Sequence, residues 1–181
     1  MLIIIVGETC SGKTTIRDEL VKNGIRSIVT TTTRPMRSGE KQGVTYNYVT
    51  SDKFKKMIKN NEFAEYTSYK VASGETWYYG TPIKELLNGG VIILNPEGLK
   101  SMLSMVGLDP TVYYITASEG VLRNRLKLRG DNPSEARRRL LADKRDFENI
   151  ENYIDYIIVN QGDMTPERAA RIILNTKKGH K

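Results

Sequence analysis

Gly7-Glu8-Thr9-Cys10-Ser11-Gly12-Lys13-Thr14 decides the reading of this chain, because it fits the spacing G-x-x-x-x-G-K-[ST] of a P-loop. Leu2-Ile3-Ile4-Ile5-Val6 stands immediately before it. That apolar run, rich in β-branched residues, predicts a buried strand. Thr15-Ile16-Arg17-Asp18-Glu19-Leu20-Val21 follows, with apolar residues at 16, 20 and 21, a spacing that predicts a helix ending near Gly24. Strand, glycine loop and helix form the setting in which the motif works. The glycines let the backbone come close to phosphates and turn its N–H groups toward them. The helix N-terminus places a partial positive charge beneath the anion. On this reading Gly7, Glu8, Thr9, Cys10, Ser11, Gly12, Lys13, Thr14 and Thr15 cradle a nucleoside triphosphate. Lys13 would reach the β- and γ-phosphates and the Thr14 hydroxyl would take Mg²⁺. Loops of this kind serve kinases, ATPases and GTPases alike, so the loop alone leaves the reaction open.

Composition narrows the class. The chain of 181 residues is 39% hydrophobic and 27% charged, which fits one soluble domain with a sizeable core. No apolar run approaches the length of a membrane span, and Met1 leads into Leu2 without a charged n-region. With Cys10 as the one cysteine, no internal disulfide can form, in keeping with a reducing cytoplasm. His180 is the one histidine, so neither a histidine-based dyad nor a zinc site is expected. Cys10, inside the loop, reads as a small buried filler rather than an activated thiol. The net charge of +7 is local: residues 121–145 carry nine Arg or Lys against three Asp or Glu. Such a cluster could bind nucleic acid or surround a polyphosphate. The interleaved basic and aromatic pattern of an RNA-binding sheet is missing, so neither nucleic acid nor a membrane is expected as a partner.

Along the chain, 25–30 predicts a second strand and Val44–Val49 a third. Between them, Pro35 holds Arg34 extended, so Arg34 and Arg37 can either converge on one anion or sit solvated. Asp52–Ile58 predicts a helix capped by Ser51 or Asp52, and Glu62–Lys70 an extended segment. Strands are expected at Val91–Leu94, Thr111–Ile115 and Tyr153–Val159. Helices are expected at Gly98–Met105, at Glu119–Arg129 with Ser118 as its cap, at Glu135–Ile150 and at Thr165–Leu174. Alternating strands and helices predict an α/β fold, a parallel sheet with helices on both faces. Within it, residues 32–88 form a small α+β insert on a core of 1–31 and 89–181, and an arginine-rich lid spans about 124–145. Arg125 and Arg129, four apart, share one helix face.

Taken together, these stretches resemble guanylate kinase, a nucleoside monophosphate kinase. Thr33-Arg34-Pro35-Met36-Arg37-Ser38-Gly39-Glu40, with Gly43 and Tyr46 beyond it, is similar to the family's T-R-x-x-R-x-G-E…G…Y stretch. Phe54–Glu65, Tyr79-Gly80-Thr81, Arg123–Gly130 and Arg139-Leu140 match further segments, so the resemblance runs from Leu2 to about Asn160. It implies an ATP-dependent kinase, with Mg²⁺ as cofactor, acting on GMP or dGMP in the cytoplasm. Residue by residue, it implies that Arg34, Arg37, Tyr46 and Tyr79 clamp the acceptor's phosphate and that Glu40 orients the clamp. Glu65 would accept hydrogen bonds from the base, with Thr30 and Thr81 as polar contacts. Arg125, Arg129 and Arg139 would close over the transferring group alongside Lys13 and Arg37.

The chain departs from the family's L-D-x-D-x-Q-G stretch, where it reads Ile92-Ile93-Leu94-Asn95-Pro96-Glu97-Gly98. Ile93 and Asn95 stand at the two acidic positions. Asn95 therefore offers the acceptor base a donor and an acceptor in place of a carboxylate. The stretch Lys70–Trp77 is also slightly longer than the family's. These departures bear on base choice more than on phosphoryl transfer, although Ile93 also removes an acid that could support Mg²⁺. The alternatives are a monophosphate kinase for another base and an inactive kinase-shaped binding module. Lys13, Thr14 and the lid arginines argue against the latter, and Asn160-Gln161-Gly162-Asp163 lacks the lysine of a GTPase base reader.

Overall fold

A computed structural model of the chain describes residues 1–70, 74–105 and 107–176. The first strand, β1 (Leu2–Gly7), is buried along its whole length because it is the inner strand of a parallel sheet. Its side chains alternate between two cores. Leu2, Ile4 and Val6 point to one cluster with Leu99, Met102 and Ile150. Ile3 and Ile5 point to the other with Ile16, Leu20, Ala169, Ala170 and Ile173. The remaining strands of this sheet are β6 (Gly90–Ile93), β7 (Thr111–Thr116) and β8 (Tyr156–Val159), in the order β6-β1-β7-β8 and all parallel. Helices α1 (Lys13–Lys22) and α7 (Pro166–Asn175) cover the second face. Helix α4 (Pro96–Leu103) and a 3₁₀ turn (Ile150–Tyr153) cover the first. Helices α5 (Glu119–Leu128) and α6 (Pro133–Asp146) lie between β7 and β8 in sequence. The chain leaves β1 toward β6 on one side and returns to β7 on the other, so the loop after β1 opens at the switch point of the sheet.

A second, mixed sheet has the order β3-β2-β5-β4, from β2 (Thr31–Thr32), β3 (Asn47–Tyr48), β4 (Phe63–Lys70) and β5 (Thr76–Pro82). Helix α2 (Ser51–Lys59) packs on it through Phe54, which stacks on Phe63 at 4.4 Å and also meets Tyr78. The short helix α3 (Ile83–Leu86) leads back to β6.

Several expected elements differ. No strand forms over 25–30: Ser27 makes a single bridge to Val91, and by Thr30 the backbone already pairs with Asn47 of the other sheet. The segment is the crossing between two sheets and is too short in either to become a strand. The expected strand at 44–49 shrinks to Asn47–Tyr48, because Val44 and Thr45 donate back to the Lys41 carbonyl and close a turn. Thr50 caps α2, accepting from the Lys53 amide at 3.2 Å, in place of Ser51 or Asp52. Ser118 stands at the α5 N-cap without a side-chain cap bond. Helix α6 starts at Pro133 and ends at Asp146, and the last strand begins at Tyr156 because 150–153 forms the 3₁₀ turn. Part of the long stretch at Lys70–Trp77, residues 71–73, lies outside the described residues, as does His180.

Candidate active site

The loop after β1 is shaped by two close approaches. A Cβ on Gly7 would lie 2.0 Å from the Ile115 carbonyl oxygen, so β7 passes too near for any side chain. Gly12 has φ +99°, and a Cβ there would meet the Asn160 amide at 2.2 Å. Asn160, buried just past the end of β8, donates from Nδ2 to the Ser11 carbonyl at 2.7 Å. Arg125 donates to the Cys10 and Ser11 carbonyls at 3.2 and 3.3 Å and to the Asn160 carbonyl at 2.8 Å. These bonds tie the loop carbonyls to two side chains of the cavity wall. Glu8 is fixed from below by the hydroxyls of Tyr114 and Thr116 on β7.

Lys13 lies in the mouth of the loop, donating to the Gly7 and Glu8 carbonyls, each at 2.7 Å. Burial pushes its pKa down from the usual lysine value, against the attraction of Asp143 and Glu8. A cavity of about 610 Å³ opens here, lined by Thr9, Cys10, Gly12 and Lys13 together with Arg125 and Arg129. Thr14 and Thr15 stand at its rim, on the first turn of α1. Thr14 offers one hydroxyl. A hydroxyl completed by phosphate oxygens and water suits Mg²⁺, which prefers oxygen ligands and keeps much of its hydration. Among the described residues no cluster of three or more His, Cys, Asp or Glu side chains offers an all-protein metal cage.

The second sheet carries another pocket, of about 250 Å³, beside Asn95 and the C-terminal end of β6. Since Ile5 of β1 pairs with Ile93 of β6, this pocket and the loop open from neighbouring strand ends. Glu65 and Thr81 face each other across β4 and β5, and the Thr81 hydroxyl donates to the Glu65 carboxylate. Burial raises the pKa of Glu65 above the usual carboxylate value. Gly98 makes room for that carboxylate, since a Cβ there would sit 3.2 Å from Glu65 Oε2. Thr30 and an edge-to-face row of Tyr46, Tyr79 and Tyr69 complete the walls.

Asn95 spends its amide on both sides. Its Oδ1 accepts from the Gly98 amide at 2.8 Å and caps α4, while its Nδ2 donates to the Tyr69 hydroxyl at 2.6 Å. At the other end, Arg34 is 5% exposed and grips Glu40 with two guanidinium nitrogens, at 3.0 and 2.6 Å. Its guanidinium also lies over the rings of Tyr46 and Tyr48. Glu40 accepts the Arg37 amide at 2.7 Å as well, and these bonds, Arg34 foremost, lower its pKa to about 2. The Arg37 guanidinium is exposed.

Most residues singled out in the sequence fall into two groups, with Arg34, Arg37, Glu40 and Arg139 outside both linings. Thr9, Cys10 and Gly12 to Thr15, with Arg125 and Arg129, line the loop cavity, and Gly7, Glu8 and Ser11 lie behind them; Thr30, Tyr46, Glu65, Tyr79 and Asn95 surround the second pocket, with Thr81 behind Glu65. Arg129 and Arg139 both face Asp131, Arg129 through a two-pronged pair and Arg139 at 3.6 Å. Three residues escaped sequence reading. Asn160 carried a signal, its place at the end of a parallel strand. Tyr69 and Asp143 carried none; the latter accepts the Thr9 amide at 2.6 Å from 134 residues away.

The fold matches a crystal structure of guanylate kinase from Anaplasma phagocytophilum with a TM-score of 0.69, covering 96% of this chain and 82% of that one at 24% identity. Among curated proteins, the guanylate kinase of Helicobacter hepaticus is 31% identical over 183 residues, 96% of this chain and 88% of that protein. That of Clostridioides difficile is 30% identical over 187 residues, 98% of this chain and 88% of that protein. The family model described as guanylate kinase matches residues 1–173. Nearly the whole length, both pockets included, is therefore accounted for by one family: the chain belongs to the guanylate kinases.

Proposed function

We propose that this protein transfers the γ-phosphoryl group of ATP to GMP or dGMP, giving ADP and the corresponding diphosphate. The observation that carries the reading is a pair of differently built pockets at neighbouring strand ends. One is a backbone cradle with a lysine; the other holds a buried carboxylate and a row of tyrosines, with the Arg34–Glu40 pair packed against Tyr46 beside it. Such a pair suits two phosphate-bearing ligands presented to each other. Guanine offers two adjacent N–H donors, and Glu65, held by Thr81, is the acceptor for them. Thr30 and Asn95 line the same wall. Arg34, Arg37, Tyr46 and Tyr79 take the acceptor's phosphate, with Glu40 fixing Arg34 in the orientation they need.

The chemistry asks little covalent help. The acceptor is an already ionised phosphate oxygen, so no general base is required. What lowers the barrier is in-line positioning and neutral surroundings for the charge that spreads over the transferring group. Lys13 supplies positive charge on the donor side, and the amides at the start of α1 hold the inner phosphates. The Thr14 hydroxyl would hold Mg²⁺, which would supply further charge neutralisation to the phosphates. Arg125 keeps the loop in shape through its three carbonyl bonds, while Arg129 and Arg139 lie at the lid and are exchanged from Asp131 to the phosphoryl group on closure.

A coupled assay of ADP release, run with Mg·ATP against a panel of ribo- and deoxynucleoside monophosphates, tests this. Turnover with GMP and dGMP alone is expected. Turnover with another base would move the specificity to Asn95 and Tyr69 and leave the mechanism standing. Silence across the panel from protein that still binds ATP would overturn it. Lys13→Ala should reduce kcat by about 10²- to 10³-fold with the fold intact. Arg37→Ala should raise the acceptor's KM and lower kcat with little change in ATP affinity.

A further inference from the structure

Asp143, on α6, places a carboxylate oxygen 2.6 Å from the backbone nitrogen of Thr9, and the amide donates to it. A loop of this type aims its amides at phosphate, so an acidic side chain on one of them needs an explanation. The position of that amide supplies it. Lys13, the side chain that reaches toward the β- and γ-phosphates, rests its ammonium on the carbonyls of Gly7 and Glu8, next to Thr9. The amides at the start of α1 lie deeper, at the helix N-terminus, where the inner phosphates bind. Thr9 is therefore at the outer, γ end of the cradle. The field of Asp143 reaches Lys13 too, where it is the foremost influence working against burial.

We infer that Asp143 is a specificity-determining residue of the donor site: in the nucleotide-free protein its carboxylate occupies the amide that the terminal phosphate of ATP takes. The inference rests on the kinase reading for the identity of the donor. A nucleoside diphosphate fills the inner cradle and leaves Asp143 in place. A triphosphate must break the Asp143–Thr9 bond and bring its own γ-phosphate beside a group of like charge. Asp143 thereby weakens the binding of substrate ATP relative to product ADP. The last turn of α6, which carries Asp143, is anchored by Phe147 stacked on Tyr114 at 5.4 Å and by Lys144 bonded to Glu119 at 3.0 Å, so the Asp143 side chain can leave the amide while the helix stays docked.

Calorimetric titration of the full chain with ATP and with ADP, in Mg²⁺ and in EDTA and without acceptor, separates the possibilities. D143N and D143A should each tighten ATP by about tenfold, the weight of one charge-assisted bond, and change ADP by less than about twofold. Alanine is a good helix former, so D143A keeps α6 even if the asparagine variant does not fold. Equal shifts for both nucleotides, no shift, or weaker ATP binding would overturn the inference. The wild type gives an independent reading by amide NMR. The Thr9 resonance should stay in place on adding ADP and move on adding ATP; equal movement with both would also overturn it. If the wild type binds neither nucleotide, the kinase reading fails and this inference with it. If it binds both and the variants keep the wild-type ratio, this inference alone fails.

Discussion

Glu65 and Glu40 are two carboxylates with opposite environments. Burial raises the pKa of Glu65, and in the proposed role only its ionised form would accept both N–H groups of guanine. The KM for GMP should therefore rise as pH falls, starting above the ordinary carboxylate value of 4.5. Glu65→Gln should lose that part of the pH profile and keep the part due to the nucleotide's own phosphate. Glu40 behaves in the reverse way. Its pKa is lowered to about 2 from 4.5, so the stability it contributes is fully present above 4.5 and is lost as pH falls toward 2. Urea unfolding of the wild type and Glu40→Gln should show a gap that is constant above about pH 5 and shrinks between 4.5 and 2. A gap that widened in acid would contradict the Arg34–Glu40 pairing. At this scale the sequence was informative where residues lie close along the chain. Arg34 and Glu40 are six apart and their pairing follows from a short loop, whereas nothing near Asp143 announces that it faces Thr9.

Among the elements, α4 ties the acceptor pocket to the parallel sheet. Its cap is Asn95, whose amide nitrogen also holds Tyr69, so one residue sets both a helix terminus and a pocket wall. Asn95→Ala should cost about 1 kcal/mol of stability, the usual loss of a cap, read from the denaturation midpoint. Asn95→Asp should keep the cap and the stability, and should change the ratio of GMP to AMP turnover because a carboxylate cannot donate to Tyr69. A fully stable Asn95→Ala protein would show that the cap contributes nothing. The parallel strands were readable because burial on both faces demands unbroken apolar runs, as in Leu2–Val6. The 25–30 segment misleads for the same reason: Ile25, Ile28 and Val29 look like a strand, yet Ile28 is buried as part of a crossing. The Thr50 cap was one residue from the expected position, a difference that depends on backbone geometry rather than residue type.

For the whole molecule, the proposed donor pocket lies at the parallel sheet and the proposed acceptor pocket mainly on the second, so linkage should be visible in stability. Each nucleotide at one hundred times its Kd should stabilise the fold by about 2.7 kcal/mol. If closure couples the sites, ATP analogue and GMP together should raise the midpoint by more than the sum of their separate effects. A simple sum would indicate two independent pockets. The architecture, a parallel sheet with the phosphate loop at its switch point, follows from alternation and one motif. The relation between the two sheets does not, because it is set by contacts between residues far apart, such as Glu65 beside Gly98.

The chain passes between the sheets twice, near residues 26–31 and again near 82–90. Arg26, in the first passage, reaches the second: its guanidinium holds the Glu85 carboxylate at 2.8 Å and also the Glu85 and Gly89 carbonyls. One side chain thus pins the two strands of the joint to each other, as a rivet fixes the arms of a pair of tongs. Rotation of one jaw about the other then has its axis near Arg26, on the side remote from the gripping tips. Loosening the rivet would let the jaws slide as well as turn, and the alignment of donor and acceptor would be lost although neither gripping surface had changed.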